Sequence, residues 1–267
     1  MAVRARVPAH AALRGFKRLY RKLRWGRAAV APTQETPLQK VTRTRRCWCR
    51  APYDTGMYLR LIEQLLQAGG NFRPFGSAVT DNPGQFNLWT RHDVDFAECF
   101  SGFARLLQAD LDSQVPSSIF FRVDDDAYHL ADRAAEIRAF SEAGIEVGLH
   151  STCYLAEHVF DRFAWELNKF EQEVGIRPTI MTVHGLGPLR RQQRDAFQEA
   201  IGSRLAEFGL TMTDCNPALR SYDYIFEDCH LDPSGGGRFL YDDFADPAPV
   251  VEPGRNFLVL THPCYWQ

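Results

Sequence analysis

The chain is predicted to be an α/β fold built on a parallel sheet, and three observations lead there. Strand-like and helix-like runs alternate from residue 54 onward. The helical runs between strands span roughly 15 to 20 residues, the length of a right-handed crossover between parallel neighbours. Four of the strand-like runs finish on unusual polar residues: Arg91-His-Asp-Val-Asp95, Gly148-Leu-His150, Thr182-Val-His-Gly185 and Leu260-Thr-His-Pro263. Parallel α/β sheets collect functional groups at the carboxyl ends of their strands, whether the sheet is doubly wound or closed as a β/α barrel. Both architectures fit the alternation.

Taken in order, residues 54–67 read as a helix, capped by Asp54 or Thr55 and ended by Gly69-Gly70. Residues 86–94 form the first strand, followed by a helix at about 97–111. A second strand, rich in Ile and Phe, covers 117–123, and a second crossover helix 127–143. Gly144 closes that helix before a strand at 145–150. A helix near 155–174 and the turn Gly175-Ile-Arg-Pro178 lead into a strand ending at His184. Residues 190–208 are again helical. Short strands are expected near 222–226 and 239–241, and a clear last strand at 256–261.

The 267 residues, 45% hydrophobic and 12% aromatic, suffice for a substantial core. The net charge of -2 conceals an asymmetry: residues 1–50 hold 14 of the 31 Lys and Arg but only one acid, Glu35, so the remainder carries 17 basic and 32 acidic groups. Residues 1–50 therefore read as a basic arm and linker, and 51–267 as an acidic globular domain. In the arm, Phe16, Leu19 and Leu23 recur at helical spacing among Lys and Arg. Such a helix would suit peripheral contact with an anionic membrane surface, and a solvated leader fits equally well. No secretory signal is evident, so the expected location is cytoplasmic, at the inner face of the membrane if the arm binds there. Nucleic-acid binding is not expected, because no accompanying motif is present. Seven cysteines form no regular framework and read as free thiols.

Asp93 and Asp95 lie two apart at a strand end, so their carboxylates project to the same side. Two adjacent negative charges need an offset, which a divalent cation supplies; Arg91 or backbone amides would serve as well. His150, His184 and His262 each have a local structural explanation as polar strand termini. Together with the Asp pair, three of the chain's 8 histidines at strand ends point to a shared site. Imidazoles plus a carboxylate suit Zn2+ or another first-row divalent ion, and a second carboxylate and a further His suit general base and general acid. Asp124-Asp-Asp126 is read as a helix cap.

Arg-His-Asp-Val-Asp95, Gly-Ile-Glu-Val-Gly-Leu-His150 and Leu-Val-Leu-Thr-His262 resemble the polysaccharide deacetylases, the carbohydrate esterase family 4 type with a NodB-homology domain, across residues 54 to 266. The resemblance implies a distorted (β/α)7 barrel that removes N-acetyl groups from a sugar or polysaccharide. It implies Asp93 as base, Asp95 and His150 as metal ligands and His262 as acid. The saccharide contacts proposed are Arg91, Asp228 and Trp266. Three departures from the family pattern stand out. Tyr154 occupies the place of a second-motif histidine, leaving His184 to supply the third ligand. Thr-Val-His-Gly replaces Arg-x-Pro, and the motif pairing an Asp with a Trp has no clear counterpart. Two other readings compete: a non-haem iron oxygenase, disfavoured because His92 adjoins Asp93 directly, and a catalytically degenerate glycan-binding or assembly protein of the same fold.

Overall fold

The structure is a computed structural model that describes residues 54–79, 84–124, 127–185, 191–215, 219–228 and 251–266. The basic arm, Asp125, Asp126 and the strand expected at 239–241 lie outside the described residues.

Eight strands form one sheet, parallel throughout: β1 (Gly70–Phe72), β2 (Phe86–Val94), β3 (Ser118–Phe121), β4 (Glu146–Ser151), β5 (Ile180–Val183), β6 (Met212–Thr213), β7 (Tyr224–Glu227) and β8 (Asn256–Thr261). Their order is β6-β5-β4-β3-β2-β8-β7, with β1 paired to the first residues of β2. Among the described residues five helices connect or flank them: α1 (Thr55–Gln67), α2 (Phe103–Asp112), α3 (Ala134–Glu142), α4 (Val159–Val174) and α5 (Arg191–Gly202).

The sheet is a half-barrel with the helices outside. A flat sheet would hold β2 and β6, four spacings apart, at roughly 19 Å. Instead Arg91 on β2 reaches Asp214, just beyond β6, at 3.0 Å. Tyr222, leading into β7, donates to the same carboxylate at 3.4 Å, so the two ends of the sheet face one another. The fold is thus the distorted barrel expected, with eight described strands rather than about seven.

Alternation along each strand sorts the side chains into two layers. On the outer face Val94, Phe121, Leu149 and Met181 pack with Phe103, Phe163, Leu167 and Phe170 of the helices. Leu88, Phe226, Phe257 and Val259 do the same against Tyr58, Leu61 and Leu65 of α1. On the inner face Trp89, Leu258 and Leu260 form one small cluster, and Phe75, Phe120 and Ile180 another. Gly148 has a packing reason, since a Cβ there would collide with the Phe120 ring.

Local chemistry explains most boundaries. Asp54 caps α1 through its side chain, and Gly175, in the left-handed region at φ 80°, terminates α4. The helix expected at 97–111 is instead a 3-10 turn (Ala97–Ser101) followed by α2. The break falls at Gly102, where any Cβ would strike the Pro263 carbonyl oxygen. Asp124 does not cap a helix, contrary to expectation. Its carboxylate accepts from the side chains of Arg122, Thr152 and Arg162, and α3 starts only at Ala134.

Candidate metal centre and its flanking acid and base

The carboxyl ends of β2, β4, β5 and β8 converge on one cleft at the inner face. Asp95 Oδ1 lies 3.1 Å from His150 Nε2 and 3.0 Å from His184 Nδ1, and the two nitrogens are 3.2 Å apart. Ligands at about 2.0–2.1 Å from a tetrahedral zinc sit roughly 3.3 Å from one another, so this near-equilateral triangle fits the ion. Among the described residues it is the one set of three metal-ligating side chains so placed.

Each candidate ligand has a local reason for its position. His150 Nδ1 lies 2.7 Å from Thr182 Oγ1 on the neighbouring strand; a hydrogen donated there leaves Nε2 with its lone pair toward Asp95. Burial holds the His150 imidazole below its ordinary pKa, only partly offset by Asp93 and Asp95, and a neutral ring is what a ligand requires. Burial alone would raise Asp95, yet the neighbouring His184 and the close ring nitrogens of His150 and His184 carry it well below the carboxylate range. His184 follows the last residue of β5. Its amide donates to Ser151 O at 2.9 Å, and its own carbonyl accepts the Tyr154 hydroxyl at 2.8 Å. Tyr154, standing where the resemblance would place a histidine, thus anchors the backbone of His184. Among the described residues His184 Nε2 is buried without a hydrogen-bond partner, whereas the second nitrogen of His150 has Thr182.

Asp93 and His262 flank the triangle. Asp93 is 3% exposed, and Arg91 grips both its oxygens, Nε to Oδ1 at 2.7 Å and Nη2 to Oδ2 at 2.6 Å. Burial works to raise the Asp93 carboxyl, but Arg91 and then His150 overcome it and hold it below its ordinary value. His262 Nε2 points toward Asp95 Oδ2 at 3.7 Å, while Nδ1 is 2.7 Å from Asp228 Oδ1. Burial would lower the His262 imidazole; Asp228, through charge and hydrogen bonding, raises it well above the ordinary histidine value. The two rings are thus pushed in opposite directions, His262 toward the cation and His150 toward the neutral form.

The three residues proposed as saccharide contacts are placed differently. Asp228 is fully buried, accepting from the His262 amide at 2.7 Å and from Trp266 Nε1 at 2.7 Å. Trp266 is 1% exposed and packs on the Tyr58 ring at 5.6 Å, so it has no free face for a sugar. Both residues support His262 from behind, and an Asp does stand beside a Trp, joined across 38 positions of sequence. Arg91 is spent on Asp93 and Asp214. Sequence reasoning missed Asp214, Thr182 and Thr261. Only the alternation of β5 and β8, which sets Thr182 two residues before His184, hinted at any of them.

No family profile and no curated protein matches the chain. Among solved structures it is similar to IcaB from Ammonifex degensii, at 14% identity over 52% of this chain and 70% of that one, with a TM-score of 0.34. It is also similar to a mutant CE4 family pseudoenzyme with restored enzymatic activity, at 13% identity over 73% of this chain and 61% of that one, with a TM-score of 0.39.

Proposed function

We propose that the chain is a metal-dependent hydrolase that removes N-acetyl groups from a sugar or polysaccharide, acting on a carbon–nitrogen bond other than a peptide bond. The observation that carries this reading is the triangle of Asp95, His150 and His184, with a carboxylate on one side and a charged imidazole on the other. Zn2+ is the first choice for the donor set of two nitrogens and one oxygen. When bound, such an ion supplies electrophilic pull on an acyl carbonyl and acidity to water.

The chain's own residues account for the proton movements. Asp93, ionised at neutral pH, has lone pairs beyond those engaged by Arg91 and accepts the proton of the attacking water. His262 presents Nε2–H to the cleft and protonates the departing nitrogen, while Asp228 holds the ring's orientation and stabilises its charge. Acetate and a free amine result, with the proton accepted by Asp93 and the one given by His262 in balance after exchange with solvent.

The test pairs metal analysis of purified protein with acetate release from N-acetylated mono- and oligosaccharides. One equivalent of metal, turnover by the native protein and loss of turnover with metal retained in Asp93→Asn are expected. Full activity of Asp93→Asn would refute the mechanism. A degenerate, glycan-binding protein is the second reading. It is favoured by the bidentate grip of Arg91 on Asp93, because a guanidinium on both oxygens weakens a base. Metal-free, well-folded protein that binds glycans without acetate release would select it. We further propose that residues 1–50 bring the enzyme to an anionic membrane surface. Removing residues 1–40 should then abolish partition onto anionic vesicles, and unchanged partition would discard that role.

A further inference from the structure

Beneath the cleft, on the helix face of the sheet, Tyr58, His92, Asp110 and Thr261 meet with no exposure to solvent. His92 lies 2.7 Å from Asp110 Oδ2 through Nε2 and 2.6 Å from Thr261 Oγ1 through Nδ1. Tyr58 donates its hydroxyl to Asp110 Oδ1 at 2.5 Å. Burial, and then the neighbouring Asp110, hold the Tyr58 phenol well above its ordinary value, so it remains a donor. The four come from four elements: α1, β2, α2 and β8. Around them lie Leu61, Leu65, Leu106, Val259 and Trp266, an apolar layer in which residues of matching shape and no polarity would cost less.

Position supplies the reason for this expense. His92 and Thr261 are direct partners in the β2–β8 ladder, and each immediately precedes a residue of the cleft, Asp93 and His262. Neighbouring side chains on a strand point to opposite faces, so locking residues 92 and 261 together below fixes residues 93 and 262 above. A second route leads to the same place. The Tyr58 ring meets the Trp266 ring edge-on at 5.6 Å, and Trp266 donates to Asp228, the partner of His262. Asp110 is thus the common anchor of both flanks of the cleft, while the metal triangle, borne on the end of β2 and on β4 and β5, leans on other supports.

We propose that His92 and Asp110 are positioning residues that set the separation and orientation of Asp93 and His262. The proposal rests on the reading of those two groups as base and acid. Because removing a buried histidine or aspartate risks the fold, the test uses near-isosteric changes at the ends of the network. Thr261→Val removes the hydroxyl facing His92, Thr261→Ser retains it, and Tyr58→Phe removes the donor to Asp110.

In the full-length zinc-loaded protein, Thr261→Val and Tyr58→Phe should each lower kcat by roughly 10-fold to 100-fold. KM and the zinc Kd should stay within about twofold of wild type, and Thr261→Ser should recover most of the rate. Both damaging variants should also shift the indole N–H proton resonance of Trp266, assigned by its loss in Trp266→Phe, a readout that needs no turnover. Unchanged kcat with an unmoved Trp266 resonance overturns the proposal. So does a loss that Thr261→Ser shares, or one matched by weaker zinc binding, since either marks a general structural role. If the native protein releases no acetate, the deacetylase reading falls by itself. A shifted Trp266 resonance would then still support the anchoring of His262, and an unmoved one would refute it.

Discussion

The two wings of the cleft carry the same residue type in opposite states. On the β4–β5 wing, burial pushes His150 toward the neutral form that a ligand needs; on the β8 wing, Asp228 pushes His262 toward the cation that an acid needs. Both rings are largely or wholly buried at the ends of parallel strands, and both stand within 4 Å of Asp95. What differs is the group on the ring's other nitrogen: a hydroxyl, Thr182, for His150, and a carboxylate, Asp228, for His262. A buried hydroxyl orients an imidazole without charging it, whereas a buried carboxylate stabilises the cation. The proposed ligand and the proposed acid are therefore distinguished by the group behind each ring.

The largest break in this comparison should come from the ligand wing. Asp95→Ala or His150→Ala is expected to abolish stoichiometric zinc binding and to cost on the order of 10^3-fold or more in turnover, since the ion supplies several kcal/mol. Retained zinc by equilibrium dialysis would place the ion elsewhere. Asp228→Asn attacks the other wing alone. We expect kcat to fall by about 10^2-fold to 10^3-fold with zinc content unchanged.

The pH profile sharpens the same contrast. His262 is raised, so its proton is present below its folded pKa and lost as pH rises through that value, above the ordinary histidine range. Asp93 is lowered, so the base is ready until pH falls through a value below the ordinary carboxylate range. The activity plateau should accordingly extend to alkaline pH, and Asp228→Asn should draw its alkaline limb downward; an unmoved limb would take the acid role from His262.

Thr182→Val should weaken zinc binding by roughly 10-fold to 100-fold without altering the alkaline limb. A smaller effect is expected behind the ligand wing, where Glu166 accepts from Ser151 at 2.6 Å. Burial first of all raises its pKa to about 7. Its favourable contribution is complete below the ordinary glutamate value and is lost as pH rises through about 7. Glu166→Gln should therefore stabilise the protein at pH above 8 by about 1–3 kcal/mol in urea denaturation, and hardly at all near pH 4.

Much of this arrangement was legible in the sequence, for identifiable reasons. The strands at 86–94 and 256–261 match the structure at both ends because long apolar runs bounded by Gly, Pro and polar residues leave little freedom. The convergence of Asp95, His150 and His184 followed from three strand ends in a parallel sheet. The rest was illegible because it depends on partners distant in sequence. Nothing local to Asp228 reveals that His262 and Trp266 will surround it, or that Asp110 in the last turn of α2 will receive His92 and Tyr58. The 3-10 turns that open or close the helices were likewise hidden. At the break, Gly102 has no room for a Cβ because of a carbonyl belonging to Pro263.

The proposed use of His184 as a ligand, in place of a histidine at Tyr154, would have a consequence for chain entropy. Two histidines four residues apart would close a short loop through the metal, whereas His150 and His184 close one of 34 residues. Loop-closure entropy grows as (3/2)RT ln n, so the longer crosslink removes about 2 kcal/mol more freedom from the unfolded chain. A metal held here is a staple between two strands as well as an electrophile, and chelation should register as a lower melting temperature before any substrate is offered.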